Sequence, residues 1–331
     1  MLRRGILALV LMLVVACAKP SGTVVSVPGA AREGRIVGSG GTGLHYVVEG
    51  KGDTVVVLHG GPGLALEGLR PDLAPLAAHH TMLYFDQRGS GRSEMPDTLQ
   101  LTAQAMVEDL EALRQAFHLD RMTLLGHSWG GGLTLLYAMR YPTRVARMVL
   151  VGSLPLRGRP YAEQYFAGQA ARRDSASNRR IAVLDSLVAF AEEPVPLCRE
   201  SMRLYLRGVT ATPEAAARIR GDLCAADARN LRWHGIVGRR VFQSFVPHLE
   251  RNDWDWRSEA AELAIPALVV HGADDPLPLA GAREMAATLP QSALVVLPEA
   301  GHYPHAEQPD PFFRAVERFL HTALPPSTPG R

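Results

Sequence analysis

The sequence carries little net charge. Its 35 basic and 33 acidic residues leave a formal charge of +2, which implies no general affinity for nucleic acid or an anionic membrane. Cysteine is scarce, with only Cys17, Cys198 and Cys224, and no His/Cys cluster has metal-ligand spacing. There is no internal repeat, no dinucleotide fingerprint and no phosphate-binding Gly-x-x-x-x-Gly-Lys loop, so neither a cofactor nor a metal is expected. The apolar run at the start, Gly5 to Val15, falls short of the roughly 20 residues that cross a bilayer. What is present is the composition of an ordinary globular chain, 47% hydrophobic and 21% charged, long enough for one large domain with an insertion.

Arg3 and Arg4 precede that short apolar run, an arrangement that suits a secretory signal. The run ends Leu13-Val14-Val15-Ala16-Cys17, which resembles a bacterial lipobox. The resemblance implies cleavage before Cys17 and lipid attachment on its sulfur; a plain signal peptide with an incidental cysteine is the alternative. The expectation is a signal peptide over 1–16, a Pro/Gly/Ser tether over 17–34 and an exported cell-envelope lipoprotein, with the membrane as a partner through its anchor. In an oxidising compartment Cys198 and Cys224 either pair or stay as two buried thiols, and sequence alone decides neither.

From residue 44 onward, strand and helix patterns alternate. Leu44 to Val48 reads as an edge strand, and Thr54 to Leu58, Met82 to Phe85, Met122 to Leu125 and Val145 to Val151 as apolar strands. Leu101 to Phe117 is helical, with Met106, Leu110, Leu113 and Phe117 on one face. Continuous apolar strands alternating with helices indicate an α/β fold with a mostly parallel sheet covered on both faces. The alternation stops over about 154–260, far longer than a crossover of about a dozen residues requires. This stretch is rich in Ala, Arg and helical runs, and reads as a helical lid over the carboxyl edge of the sheet. Strands resume at Ala267 to His271 and Ala293 to Leu297, followed by a helix from Asp310 to Leu320.

Chemistry-bearing residues collect where strands end. After the strand at 122–125 comes Gly126-His127-Ser128-Trp129-Gly130. A serine on a sharp strand-to-helix turn needs small neighbours, and the next helix offers free N–H groups where negative charge develops. After the strand at 54–58 comes His59-Gly60-Gly61-Pro62-Gly63, a loop that can aim backbone amides at such a charge. Asp86-Gln87-Arg88-Gly89-Ser90-Gly91-Arg92-Ser93 follows the strand at 82–85, and Asp86 and Arg88 are candidates to pair and brace it. Gly272-Ala273-Asp274-Asp275 and Gly301-His302-Tyr303-Pro304-His305 follow the two late strands. Serine needs a base to take its proton, and the base needs a carboxylate to fix its tautomer. The order Ser, Asp, His satisfies that need at strand ends.

Together these motifs resemble an α/β-hydrolase of the proline iminopeptidase group of serine peptidases. The resemblance covers about 44–153 and 261–322. The catalytic domain is expected over 35–153 and 261–322 and the cap over 154–260, and the Pro/Gly/Ser content at the end reads as a frayed tail over 323–331. It implies Ser128 as nucleophile, His302 as base and Asp275 as its partner. Asp275 is preferred to Asp274 by the group's Gly-x-x-Asp spacing, and His302 to His305 because it directly follows a glycine. The backbone N–H groups of Gly61 and Trp129 would form the oxyanion hole. The implied reaction releases an N-terminal residue, often proline, from short peptides. Glu163, Glu192, Glu193 and Glu200 are candidates to hold the substrate amine, although none matches a motif and the lid is rich in arginine. A carboxylesterase or other small-molecule hydrolase is the alternative, and a silent binding protein a third reading.

Overall fold

A computed structural model describes residues 31–246 and 253–322. Eight strands form one sheet: β1 (Arg32–Val37), β2 (Gly43–Gly50), β3 (Thr54–Leu58), β4 (Thr81–Phe85), β5 (Met122–His127), β6 (Val145–Val151), β7 (Ala267–Gly272) and β8 (Ser292–Leu297). Their order is β1-β2-β4-β3-β5-β6-β7-β8. The pairs β1/β2 and β2/β4 are antiparallel, and the remaining pairs are parallel. Eight longer helices accompany the sheet: α1 (Ala103–Ala116), α2 (Trp129–Arg140), α3 (Tyr161–Ala171), α4 (Ser175–Val188), α5 (Pro194–Val209), α6 (Ala228–Gln243), α7 (Leu279–Thr288) and α8 (Pro309–His321).

The two faces of the sheet follow from the period-two alternation of strand side chains. Val56, Leu58, Leu83, Phe85, Leu124, Met148, Leu150 and Val269 face one layer, with Leu110 and Leu113 of α1, Leu133 of α2 and Met285 of α7. Their neighbours Val55, Val57, Tyr84, Leu125, Val149, Val151, Leu268 and Val270 face the other, with Leu66 to Leu76 and with Phe312 and Val316 of α8. Burial on both sides explains why the central strands read as continuous apolar runs. Helices α3 to α6 lie between β6 and β7 in sequence, and are the helical insertion before the later strands. Within it Cys198 and Cys224 form a disulfide. Phe242, Phe245, Trp254 and Trp256 cluster at its base, whereas Trp233 is exposed.

Several expectations need correction. Leu44 to Val48 is not an edge, because β1 pairs along its outer side. That strand starts at Arg32, inside the stretch read as tether. Arg88 does not pair with Asp86. Its guanidinium binds both oxygens of Asp109, at 2.7 and 2.6 Å, and donates to the carbonyls of Gln100 and Ser39. Asp86 instead accepts from the N–H groups of Leu66 (2.8 Å) and Arg92 (2.9 Å) and meets His45 Nδ1. The signal peptide and lipidated Cys17 fall outside the described residues. Among the described residues no helix is long and apolar enough to cross a membrane. The membrane partner and the exported, lipid-anchored location are corrected on that finding, and neither enters the functional reading.

The buried Arg88–Asp109 pair ties the loop after β4 to α1, with both side chains 1% exposed. Removing one partner of such a pair strands a charge in a dry interior. Arg88→Ala is expected to lower the unfolding free energy by about 3–5 kcal/mol. Arg88→Met combined with Asp109→Leu should lose far less, and urea unfolding of both variants checks the difference.

Candidate active site

Ser128 occupies the turn between β5 and α2, with φ 54° and ψ −119°. Left-handed backbone is rare for a residue with a side chain and persists only where the surroundings fix it. Here they do. The Ser128 N–H donates to the Val151 carbonyl at 2.9 Å, and its own carbonyl accepts from Gly131 (2.9 Å) and Leu154 (3.0 Å). The flanking glycines are required sterically. A methyl group on Gly126 would collide with the Gly130 carbonyl, and one on Gly130 with the Leu58 carbonyl. The Gly-x-Ser-x-Gly spacing is thus the condition for packing α2 directly on the ends of β3 and β5.

His302 lies in the loop after β8. Its Nδ1–H donates to Asp275 Oδ2 at 2.8 Å, and Asp275 Oδ1 accepts from the Leu277 N–H, also at 2.8 Å. Gly152, at φ 48°, leaves room for this pair, since a side chain there would press on His302 Nδ1 and Asp275 Oδ2. The histidine is 2% exposed and the aspartate 7%, so little water competes for their bond. Asp274 is exposed. His127, directly before the serine, donates from Nε2 to the His302 carbonyl at 2.8 Å. Burial first, and then neighbouring His302 and His305, hold its pKa well below the ordinary histidine value, so the ring is neutral. His127 therefore braces the His302 loop. His305 is buried beside it and pushed down to about 4, chiefly by desolvation.

The glycine loop is held from behind. Gln87 donates from Nε2 to the His59 carbonyl and accepts at Oε1 from the Trp129 indole N–H, both at 2.8 Å. Its backbone N–H donates to His59 Nε2 at 3.1 Å, while His59 Nδ1–H donates to the Gly60 carbonyl at 2.8 Å. Burial lowers the pKa of His59, in keeping with the neutral tautomer these bonds require. Gly63, at φ 99°, admits the close approach of the His234 backbone on α6, which sets the cap onto the loop.

Ser128, His302, Gly61 and Trp129 all line one cavity of about 560 Å3. Its roof and walls come from Leu64, Leu154, Tyr165, Phe166, Tyr205, Phe242, Trp254 and Leu277. Arg239 also borders it, and no carboxylate is among the described lining residues. The structure does not bring the four lid glutamates there. Glu163 is exposed and paired with Arg159, Glu200 is paired with Arg180, and Glu192 and Glu193 are exposed.

One supporting residue escaped sequence reasoning. Glu307, 1% exposed, accepts from the N–H groups of Ala211 (2.7 Å), Gly301 (3.0 Å) and Tyr303 (3.1 Å). Burial raises the pKa of this carboxyl and the three N–H bonds oppose the rise. Glu307 thereby fixes both neighbours of His302 and joins them to the cap. No motif flags it; only the proximity of a lone acid to the Gly-His loop could have.

A doubly layered, mostly parallel sheet with its serine turn, its histidine–aspartate pair and a cavity at the strand ends is the architecture of a hydrolase acting on small substrates. The chain belongs to the alpha/beta hydrolase fold family, whose model matches residues 53–309. It is 29% identical over 295 residues to 2-hydroxy-6-oxo-2,4-heptadienoate hydrolase of Pseudomonas putida, covering 88% of this chain and 97% of that one. It is 27% identical over 295 residues to proline iminopeptidase of Heyndrickxia coagulans, covering 82% and 92%. Among solved structures, proline iminopeptidase of Mycobacterium smegmatis superposes with a TM-score of 0.65 at 22% identity, over 88% of this chain and 98% of that one. That likeness is one of fold.

Glu307→Gln is expected to lower kcat at least about tenfold while KM changes little, because losing charge-assisted bonds of about 1.5–3 kcal/mol each loosens the His302 loop. An unchanged kcat in a folded Glu307→Gln protein removes Glu307 from any positioning role.

Proposed function

We propose that the chain is a serine hydrolase working through an acyl-enzyme, with Ser128 as nucleophile, His302 as general base and Asp275 as the group that orients it. The observation that carries this reading is the His302–Asp275 bond. It occupies Nδ1 at 2.8 Å and so leaves Nε2 as the nitrogen available to a hydroxyl. Ser128 Oγ attacks a carbonyl carbon as its proton passes to His302 Nε2. The oxyanion forms against the N–H groups of Gly61 and Trp129. Trp129 opens α2, so its N–H has no partner within the helix. Each such donor stabilises the transition state by about 3–4 kcal/mol. The leaving group departs with the proton from His302. A water, deprotonated by the same nitrogen, then attacks the acyl carbon and frees Ser128. We assign the catalytic domain to 32–153 and 261–322, so that it holds the whole of β1, and the cap to 154–260.

The lining favours a small, mostly apolar acyl group presented as an ester or other small carbonyl compound. An arginine borders the cavity and no described carboxylate does, a poor setting for a cationic amine because burying an unpaired ammonium is unfavourable. The second reading, an aminopeptidase releasing N-terminal proline or another N-terminal residue, is supported by the proline iminopeptidases among the relatives, including one from Xylella fastidiosa at 30% identity over 279 residues.

Fluorophosphonate labelling is expected at Ser128 and lost in Ser128→Ala, which should also lose turnover by at least about a thousandfold. Labelling with full strength in Ser128→Ala would reject the nucleophile. A short-chain p-nitrophenyl ester should be cleaved faster than prolyl-naphthylamide; the reverse ranking selects the aminopeptidase.

A further inference from the structure

We propose that His80, Glu317 and His321 form a site for one divalent transition-metal ion of the zinc class, remote from the reaction cavity. His80 immediately precedes β4, whose other end feeds the Asp86–Ser93 loop, so the trio lies at the opposite end of the sheet from the strand ends that carry Ser128. His80 Nε2 is 2.9 Å from Glu317 Oε2, and His321 Nε2 is 3.3 Å from the same oxygen. The three ligand atoms lie within 4.8 Å of one another. Tetrahedral zinc, with bonds of about 2.0–2.1 Å, needs its ligand atoms about 3.3 Å apart. Two of the observed separations are already close to that value.

The parts are held unequally, which suits a site that loads from solvent. Glu317 and His321 are four residues apart on α8 and share one face. His80 is buried, and its backbone N–H donates to the Leu76 carbonyl at 2.9 Å. The His321 side chain is 66% exposed beside Glu317, open to an ion arriving from solvent, with water filling the remaining coordination. Two imidazoles and one carboxylate suit zinc or its borderline neighbours; magnesium and calcium require more oxygen ligands. The carbonyls at the end of α8 are not competing ligands, because Arg147 already donates to those of Phe319, Leu320 and Thr322. A bound ion would tie α8 to the segment entering β4, across 237 residues of sequence. No spacing rule could find ligands so far apart.

The test uses the full chain, freed of metal by a chelator and titrated with zinc chloride in a calorimeter. One zinc per chain is expected, with affinity at least tenfold weaker in His321→Ala and in Glu317→Gln. The melting midpoint should rise with zinc in the parent and not in either variant, while magnesium moves none of them. Ester hydrolysis should be the same in His321→Ala as in the parent. Absence of saturable zinc binding, or equal binding in parent and variants, overturns the site and leaves the trio as a hydrogen-bonded latch on α8.

Discussion

The whole arrangement depends on one close approach, that of α2 to the ends of β3 and β5. Gly126 and Gly130 have no space for a side chain, because backbone carbonyls occupy it. With those strand ends and the helix in contact, the chain must reverse within Ser128, and φ 54° is the consequence. Such a conformation is worth about 1–3 kcal/mol of strain. It is offset by bonds to Val151, Gly131 and Leu154, which also fix where β6 continues into the cap. The serine turn is therefore both a tight point of the sheet and the junction at which the helical insertion departs.

That junction couples the cap to the histidine loop. The His302 N–H donates to the Val209 carbonyl at the end of α5, at 2.8 Å. Glu307 binds Ala211 from the same cap segment together with Gly301 and Tyr303. The glycine of the His302 loop lies against the backbone of Val209 to Ala211 too closely to carry a side chain. Roof and imidazole thus move together. Displacing the cap to admit a substrate would draw on the bonds that aim His302, so a small substrate entering with little cap movement is the one this geometry serves best.

The parts of this arrangement that repeat along the chain were legible in the sequence. Continuous apolar runs, such as Thr54–Leu58, announce their burial on two faces, and the glycines around Ser128 announce a steric constraint. What was hidden depends on contacts between distant segments. Asp86 and Arg88 are near neighbours in sequence, yet each finds its partner elsewhere, Arg88 in Asp109 and Asp86 in the backbone of Leu66 and Arg92. The outer strand β1 was missed because Arg32-Glu33-Gly34-Arg35 has no apolar alternation and only Ile36 and Val37 are apolar. Of the lid glutamates, Glu163 and Glu200 are accounted for by exposed ion pairs with Arg159 and Arg180. Nothing in the local sequence of such residues separates a solvated helix face from a cavity wall.

The surroundings of His302 then bear on its proposed work as a base. His127 and His305 flank it, with ring centroids of His127 and His302 4.9 Å apart. A charge on either neighbour would oppose the imidazolium that forms when Ser128 gives up its proton. Burial keeps both neutral, His127 well below the usual histidine range and His305 down to about 4. His59, on the far side of the glycine loop, is neutral for the same reason. Asp275 is thus left as the nearest partner for the transient positive charge. In an apolar cavity an ion pair of this kind is screened far less than in water. The clustering of histidines, which from sequence resembles a set of competing bases, works in the opposite sense: it supplies hydrogen bonds and packing to a single base without adding a competing charge.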